Sequence, residues 1–498
     1  MEIVWFKRDL RVTDHAPLTR ALGQGPTAAL FVYEDELLFA DDFAGRHLHF
    51  LNDCLQDLRE ELASLQVPLL LRRGEVTQVL TRLAPTRLWS HQETGNALTY
   101  RRDQRVAQWC RENHVPWQES PQTGVIRRLE NRDGWAKRWA RRMNEPVLPP
   151  PTPQALAAKP SSWEPGEQLS GQDLGLAPDP LQDRQPGGRP QALALLDSFL
   201  LERGQHYSRE MSSPVTAYEA CSRLSPHFAF GSVSIREAYQ TVTLHRAELY
   251  RRKAEGEAMA PGWFSALKSF LARLRWHCHF MQKLEDEPEI EFRNFSRAYD
   301  GLREPHWSEE RFQAWVEGRT GYPLVDACMR ALTATGWLNF RMRAMLMSFA
   351  SYHLWLHWRR TGLHLAKLFV DFEPGIHWSQ SQMQSGTTGI NTLRVYSPTK
   401  QLLDQDPEGV FVRRWVPELA QVPDRYLAEP HTMPELEQQM AGCVIGRDYP
   451  APIVDHQTAY REAQQKMRSV RSRRESRQEA DAVQAKHGSR KRTTSKWR

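Results

Sequence analysis

The chain has 498 residues, 40% hydrophobic and 25% charged, a composition typical of water-soluble proteins with room for two to four domains. No apolar run approaches the roughly 20 residues that a membrane helix needs, and charges follow Met1 where a signal peptide needs an apolar core, so we expect a cytoplasmic protein without membrane contacts. The net charge of +6 comes from residues 466–498, which hold twelve Lys or Arg and three Asp or Glu; the remainder sums to about −3. A nucleic-acid surface elsewhere would have to be a local patch.

Short apolar runs in the first 90 residues predict four buried strands. They are Ile3–Phe6, Ala28–Tyr33, Pro68–Leu71 and Leu88–Ser90. Amphipathic segments such as His47–Leu65 separate them, which predicts a doubly wound parallel α/β domain over residues 1–130. Such sheets bind ligands beyond the carboxyl ends of their strands. The sequence has neither a dinucleotide fingerprint nor a P-loop, so nothing supports those nucleotide sites.

Residues 131–191 are predicted to connect two domains. Many prolines break the pattern from about Asn144 onward, which is typical either of a segment draped over the surface or of a flexible linker. Residues 192–465 are predicted to form one large all-α domain, because apolar residues recur at helical spacing in several segments: Gln191–Arg203, Trp263–Leu284, Glu309–Glu317, Pro323–Thr335 and Arg341–Trp358. The basic residues 466–498 lack core formers and are predicted to be disordered.

The six cysteines stand at positions 54, 110, 221, 278, 328 and 443, without C-x-x-C spacing. We expect free thiols in a reducing compartment and no metal site.

The strongest chemical signal lies between residues 307 and 398. Six tryptophans share this stretch with arginines and acids: Trp307, Trp315, Trp337, Trp355, Trp358 and Trp378. Within it, Arg343 is predicted to lie on a helix and Asp371 to end an apolar run, Leu368–Val370. A buried arginine beside a carboxylate could stabilise an anionic, redox-active ring, and a plain structural salt bridge is the alternative.

Two further segments carry candidate binding residues. Ser222-Arg223-Leu224-Ser225 offers hydroxyls, backbone N–H groups and a cation, as a pyrophosphate needs at a helix start; we expect that helix from about Ser234, and an ordinary helix cap is the alternative. Arg273-Leu274-Arg275-Trp276-His277 is a basic-aromatic helix segment that would suit a flipped base and its flanking phosphates. An internal amphipathic helix is the alternative there.

These motifs resemble the photolyase/cryptochrome family of flavoproteins. The likeness rests on the opening Trp5–Asp14, on 207–225, on Trp315–Arg330 and Gly336–Arg343, and on Asp371-Phe372-Glu373. It extends through Arg413–Leu419 to Tyr449–Asp455, and leaves out the connector and the tail. The resemblance implies an α/β antenna domain, an all-α FAD-binding domain, and FAD as cofactor. It also implies a monomer.

The resemblance assigns roles to individual positions. FAD would be held by Tyr207, Cys221, Ser222, Arg223, Leu224, Ser225, Arg343, Asp371, Phe372, Glu373 and His377. Cys221 replaces the usual threonine, which removes one hydroxyl contact. His377 would lie opposite flavin N5 and tune its proton exchange, although most lone histidines are hydrogen-bonded core residues. Trp307, Trp358 and Trp378 would relay electrons between flavin and surface, with Trp355 as an alternative; packing alone can also explain buried tryptophans.

DNA containing ultraviolet-induced pyrimidine dimers is the implied partner. Arg273, Trp276, His277, Phe340 and Arg341 would contact it, with Trp276 stacking on the lesion. The best-known cyclobutane-dimer enzymes of the family have glutamate in place of Arg273 and asparagine in place of Phe340, so the lesion type stays open. The resemblance predicts blue-light repair by electron transfer from excited reduced FAD, with a cryptochrome-like photoreceptor lacking repair activity as the alternative. Glu93-Thr94-Gly95-Asn96 matches the family's folate-contacting segment poorly, which leaves any second antenna chromophore unidentified.

The basic tail could raise non-specific DNA affinity through Arg471, Arg473, Arg474, Arg490, Lys491 and Arg492. A solvated end without a role is equally consistent with the sequence.

Overall fold

A computed structural model describes residues 1–154 and 163–488. Its N-terminal part is the predicted parallel sheet, with strand order β3-β2-β1-β4-β5. The strands are β1 (Glu2–Trp5), β2 (Thr27–Tyr33), β3 (Leu69–Arg73), β4 (Arg87–His91) and β5 (Trp117–Ser120). The central strand β1 pairs on both sides, with Ile3 opposite Ala28 on β2 and Leu88 on β4. Strand β5 was not predicted, because this edge strand has no apolar run.

The C-terminal part is helical, as predicted. The α-helices in chain order are α1 (Ala16–Leu22), α2 (Asp35–Leu38), α3 (Gly45–Ser64), α4 (Val76–Leu83), α5 (Ala97–Glu112), α6 (Trp135–Met143), α7 (Arg189–Leu201), α8 (Tyr207–Glu210), α9 (Ala217–Ala220), α10 (Ser225–Phe230), α11 (Ile235–Ala254), α12 (Trp263–Asp286), α13 (Glu309–Val316), α14 (Pro323–Thr335), α15 (Phe340–Ser348), α16 (Trp358–Leu368), α17 (Pro374–Ser385), α18 (Pro398–Gln405), α19 (Val410–Trp415), α20 (Asp424–Leu427), α21 (Glu435–Met440), α22 (His456–Arg471) and α23 (Arg474–His487). Short 3₁₀ turns span Arg203–His206, Pro288–Glu291, Arg297–Tyr299, Glu304–His306, Pro417–Leu419 and Pro430–Thr432.

The predicted helix Arg341–Trp358 is wrong. Helix α15 passes into a π-helical turn, Phe349–His353, and the chain then leaves the helix. Trp355 adopts a left-handed conformation with φ of 57°, so the helix cannot continue through it. Helix α16 starts at Trp358, where Nδ1 of His357 accepts the backbone N–H of Arg359. The apolar period runs on through this break, so no sequence pattern marks it.

Helices α12 and α17 cross closely at Gly375. A Cβ atom at this position would lie 2.6 Å from Cα of Met281, a distance that only a shift of backbone could relieve. The close crossing brings the face of α12 that carries His277 near the first turn of α17, which carries His377 and Trp378.

The described parts of the connector pack on both domains. Asp179 pairs with the buried Arg46 at 2.9 Å, Leu174 belongs to the sheet's core, and the side chain of Gln154 bonds the backbone of Thr27. Helix α6 lies within the predicted connector and packs Trp139 against Tyr239 of α11. The draped arrangement therefore describes this segment, except for residues 155–162, which lie outside the described residues. The domain boundaries themselves stay a prediction.

The charged turn after β1 is buried rather than solvated. Asp9 and Arg11 are each 1% exposed. Oδ2 of Asp9 lies 3.0 Å from Nε2 of His15 and 2.8 Å from Nδ1 of His91. Nδ1 of His15 accepts the backbone N–H of Leu18, so its Nε2 carries the proton donated to Asp9. Although burial works to raise the pKa of Asp9, these two histidines hold it well below its usual range. The three side chains form a hydrogen-bonded cluster. Their oxygen and nitrogen atoms, of the kinds that bind metal ions, lie within 4.8 Å of one another.

The predicted disorder of the tail is wrong for residues 466–487. Helix α22 buries Met467 and Val470, and α23 buries Val483 and His487 against the helical domain. Nε2 of His487 lies 2.6 Å from Oε2 of Glu287, and its ring packs on Phe295. Sparse apolar residues at helical spacing suffice here because the domain supplies the other half of the interface. Of the six basic tail residues named above, Arg490, Lys491 and Arg492 lie outside the described residues.

We expect acid to release α23 before the rest of the protein unfolds. Burial lowers the pKa of His487, so folding favours its neutral form and this stability is lost as pH falls below the ordinary histidine range. Contacts with His487 and Lys486 overcome the effect of burial and lower the pKa of Glu287 to about 2, so its contribution is lost as pH falls from about 4.5 toward 2. Hydrogen exchange of the α23 amides, measured from pH 7 to pH 4, should quicken while that of α14 stays slow. Equal protection of α23 across this range would contradict the expectation.

Within residues 1–154 and 163–488, every helix is too short or too polar to cross a membrane.

Candidate active site

An ion pair between α15 and the segment before α17 forms the centre of the site. Nη1 and Nη2 of Arg343 lie 2.9 and 2.8 Å from Oδ1 and Oδ2 of Asp371, a bidentate arrangement. Nε of Arg343 donates to the carbonyl of Leu338, and Phe369 packs on the guanidinium at 4.1 Å. Burial works to raise the pKa of Asp371, but Arg343 lowers it overall, so the carboxyl is ionised at neutral pH. The sequence predicted this pairing correctly.

The loop 221–225 approaches the same carboxylate. Arg223 is buried and has a left-handed φ of 61°. Its guanidinium lies 3.8 Å from the ring centroid of Tyr218 and 4.1 Å from that of Trp337. The loop leads directly into the short helix α10, which begins at Ser225 and has no side-chain cap among the described residues. The helix expected from about Ser234 is present as α11, which Ser234 caps. An ordinary cap therefore does not explain the Ser-Arg-x-Ser sequence.

Several buried polar atoms around this pair have no hydrogen-bond partner among the described residues. They are Nε and Nη1 of Arg223, Nδ1 of His277, Oδ1 of Asn339 and Oε1 of Glu373. Unsatisfied buried polar atoms are costly, so their convergence around one ion pair indicates a site built for a large polar ligand. Tyr207 lies on the flank of this region, with its ring packed edge-on against Phe199 and Phe270.

The carboxyl group of Glu373 is partly protonated at neutral pH. Burial raises the pKa of its carboxyl to about 7, against the opposing effect of Arg8, whose Nη1 lies 3.9 Å from Oε2 of Glu373. Arg8 follows strand β1 and donates to the carbonyls of Ala229 and Phe372 at 2.8 and 2.5 Å. The α/β domain thus contributes a cation to this site, which the sequence analysis did not predict.

His377 is held as a neutral imidazole. Its Nε2 lies 2.8 Å from the carbonyl of Gly362 and so carries the proton, which leaves Nδ1 as an acceptor. Burial lowers the pKa of His377 to about 4. The ring packs between Phe372 and Trp378, with centroid distances of 5.2 and 4.9 Å.

The structure brings together two of the three predicted relay tryptophans. The ring centroids of Trp358 and Trp378 lie 6.0 Å apart, and Trp378 also contacts Phe372. Trp307 instead packs on Phe312 and under the guanidinium of Arg360. Trp355 lies in another cluster, with Arg303 and Lys466 at 4.7 and 4.6 Å from its ring.

Comparisons with known proteins agree with this arrangement. Residues 2–134 match the family model described as DNA photolyase, and residues 270–469 match that described as the FAD binding domain of DNA photolyase. A deoxyribodipyrimidine photo-lyase of Halobacterium salinarum is 30% identical, covering 92% of this chain and 96% of its own. The chain belongs to the DNA photolyase/cryptochrome family. A cryptochrome DASH of Gloeobacter violaceus is 28% identical over 91% of this chain and 93% of its own. The solved class III photolyase of Agrobacterium tumefaciens superposes with a TM-score of 0.81 at 26% identity, covering 95% and 98% of the two chains.

FAD is therefore the cofactor of this photolyase-type flavoprotein. The residues fit it: a cofactor with a pyrophosphate, a ribose and a polar tricyclic ring can satisfy the unpartnered guanidinium, imidazole, amide and carboxyl groups named above. Which atom each residue would contact remains a prediction.

The residues predicted to contact DNA divide into two groups. Arg273, Trp276 and Phe340 are exposed, Trp276 by 38% and Phe340 by 48%, and the Arg273 guanidinium lies 5.9 Å from the Phe340 ring. Arg341 is half-buried, with Nη1 3.5 Å from Oε1 of Gln401. His277 is half-buried; burial lowers its pKa to about 4, and its charged neighbours are Arg8 and Asp371. Its contact with DNA stays a prediction, because adjacent residues of a helix such as Trp276 and His277 point in directions about 100° apart.

In the α/β domain, a cavity of about 150 Å³ opens beyond the carboxyl ends of β1, β2 and β4. This is the position where the strand order reverses on either side of β1, at which open α/β sheets bind ligands. Its walls are mostly apolar and aromatic, with Glu34, Asp42, Glu93, Asn96 and Arg102 at polar positions. Phe372 and Pro374 of the helical domain close one side. The segment Glu93–Asn96, singled out from the sequence, therefore does line a cavity.

Other residues of the site gave little sequence signal. Asn339 anchors the start of α15 by donating to the carbonyls of Met211 and Ser212. Arg359 lies over Trp378. Asn294 accepts the indole N–H of Trp358. Each contact joins segments distant in sequence, and no local pattern marks it.

Proposed function

We propose that this protein is a light-driven DNA photolyase that repairs pyrimidine dimers. The observation that supports the proposal best is the buried Arg343–Asp371 pair, surrounded by unpartnered polar atoms, close to a surface that exposes Phe340, Arg273 and Trp276. Bound FAD in its reduced form supplies light absorption and the electron that splits a dimer. The protein supplies orientation, electrostatics and exclusion of water.

The charged residues set the electrostatics of the cofactor site. Arg343 places a permanent cation beside the site while Asp371 keeps its guanidinium oriented through two hydrogen bonds. Arg223 offers the N–H groups of Nε and Nη1, which have no acceptor among the described residues, to a pyrophosphate. His377 is neutral, so its Nδ1 can accept a hydrogen bond from an N–H group of the cofactor's ring without adding charge. Glu373 can hold a proton at neutral pH and donate it in a hydrogen bond.

The exposed aromatic residues suit an extruded base. Trp276 and Phe340 offer apolar faces on which a flipped dimer can stack, and Arg273 lies beside Phe340 where it can meet a phosphate. Trp276 rests on Phe280 at a centroid distance of 5.6 Å with nearly parallel rings, so its outer face stays available.

We expect Trp276→Ala to weaken binding of dimer-containing DNA by about 1–3 kcal/mol, the value of one base–aromatic contact. Reduced protein is incubated with oligonucleotides that carry either a cyclobutane dimer or a (6-4) lesion, and both affinity and loss of the lesion under blue light are followed. Tyr250→Ala changes another exposed aromatic residue, on α11; it serves as the control and should bind as the parent does. Samples kept in the dark should retain their lesions.

A cryptochrome-like photoreceptor is the second candidate. The arginine at position 273 and the exposed phenylalanine at 340 favour it, since both depart from the glutamate and asparagine of the best-known repair enzymes. A protein that carries FAD and responds to light but leaves both lesions intact would establish this candidate over repair.

We further propose that the cavity at the carboxyl ends of β1, β2 and β4 holds a second, ring-shaped chromophore. Its apolar walls suit a flat aromatic ring, and its polar side chains suit a polar substituent. An absorption spectrum of the purified protein, taken before and after reduction of the flavin, would reveal a second pigment by a band that reduction leaves in place.

A further inference from the structure

The two tryptophans that pack together in the site differ in their electrostatic surroundings. Trp358 and Trp378 are both fully buried, and their rings meet edge to face at 66°. Their geometry would let an electron pass in either direction. A guanidinium lies over Trp378, whereas a hydrogen-bonded amide lies beside Trp358, and that difference gives the pair a direction.

Trp378 is a poor place for positive charge. The guanidinium of Arg359 lies 4.4 Å from its ring centroid, and the indole Nε1 is buried without an acceptor among the described residues. A cation over an aromatic face is attracted to the neutral ring and repelled by a ring that has lost an electron. Because its N–H has no acceptor, no hydrogen bond stabilises a positive charge on this ring.

The surroundings of Trp358 stabilise a positive charge better. Nε1 of Trp358 donates to Oδ1 of Asn294 at 2.7 Å, and Nδ2 of Asn294 donates to Oδ1 of Asp300 at 2.8 Å. The carboxylate polarises the amide, which strengthens the bond from the indole. Burial lowers the pKa of the adjacent His357, so the ring beside Trp358 is neutral.

We propose that Arg359 and Asn294 are positioning residues that make electron transfer from Trp358 to Trp378 favourable. This inference rests on the proposed function because it requires bound FAD, whose oxidised form, when excited by light, would take one electron from Trp378. After Trp378 has lost one electron, Trp358 replaces it, so the positive charge moves one ring outward. The indole proton of Trp358 stays in its hydrogen bond to Asn294. A thiolate in solution then returns one electron to Trp358. Arg359 opposes charge on the inner ring while Asn294 and Asp300 stabilise it on the outer ring.

The test uses the FAD-loaded protein and two readouts that do not depend on repair. Flash photolysis gives the lifetime of the tryptophan radical cation. Peptide mass spectrometry after illumination without thiol gives the ratio of oxidised Trp358 to oxidised Trp378. We expect Arg359→Met and Asn294→Leu each to lower this ratio about threefold to thirtyfold and to shorten the radical lifetime, because the charge stays beside the flavin.

Matched variants separate electrostatics from packing. Arg359→Lys keeps the cation and should restore the parental ratio, and Asn294→Asp keeps an acceptor oxygen and should do likewise. Arg252→Met removes an exposed guanidinium of α11 that pairs with Glu257 and should change neither readout.

Three results would overturn the inference. If Arg359→Met and Asn294→Leu keep the parental ratio and lifetime while Trp378→Phe abolishes photoreduction, the relay exists but these residues do not direct it. If Arg359→Lys behaves like Arg359→Met, the side chain acts through packing. If Trp378→Phe and Trp358→Phe both photoreduce at the parental rate, the relay itself is wrong, and this inference fails with it.

Discussion

Arg343→Met is expected to lower the free energy of unfolding by about 3–5 kcal/mol and to abolish FAD retention. The substitution leaves the buried carboxylate of Asp371 without its cation, so the pKa of Asp371 should rise and the site should lose its permanent positive charge. Denaturant unfolding measures the first effect, and the flavin absorbance of the purified protein measures the second.

A double variant separates stability from cofactor binding. Arg343→Met combined with Asp371→Leu removes both charges, so the free energy of unfolding should recover toward the parental value while FAD stays lost. Arg251→Met breaks an exposed pair with Glu248 and Glu255 on α11 and should change stability by less than about 1 kcal/mol. An Arg343→Met protein that purifies with a full complement of FAD would refute the role given to this pair.

Trp378→Phe and Trp358→Phe are each expected to slow photoreduction of the bound flavin at least about tenfold, a change that corresponds to about 1.4 kcal/mol in the barrier. Phenylalanine preserves much of the packing but is far harder to oxidise than an indole. The rate at which flavin absorbance bleaches under blue light with added thiol measures the effect.

The other two candidates provide the comparison. Trp307→Phe and Trp355→Phe test tryptophans that lie in separate clusters. Since the ring of Trp355 has Arg303 and Lys466 close to it, we expect its replacement to leave the rate unchanged. If Trp355→Phe slows bleaching as much as Trp358→Phe does, the relay leaves the site through the other cluster.

The sequence predicted what repeats locally or matches a family motif. The parallel sheet follows from short apolar runs, and α14 follows from its period, which Pro323 opens and Gly336 closes. The Arg343–Asp371 pair followed from residue chemistry together with the resemblance. The sheet and α14 depend on residues near one another in the chain, whereas the pair joins positions 28 residues apart and depended on the family motif.

What the sequence missed depends on tertiary contacts. The break at Trp355 has no proline or glycine to mark it. The tail helices are held by partners such as Glu287 and Phe295, nearly 200 residues away. His277 is less exposed than its neighbour Trp276, because adjacent residues of α12 point in directions about 100° apart. The pairing of Trp378 with Arg359, and of Trp358 with Asn294, likewise joins distant segments.

Arg8 makes the helical half of the protein dependent on the α/β half. It follows β1, yet it bonds the carbonyl of Phe372 and lies beside Glu373. With Arg8 replaced by methionine, Glu373 would lose its nearest cation and stay protonated to higher pH. Domain exchange between relatives should therefore carry the turn after the first strand along with the flavin-binding helices, because the two form one electrostatic unit.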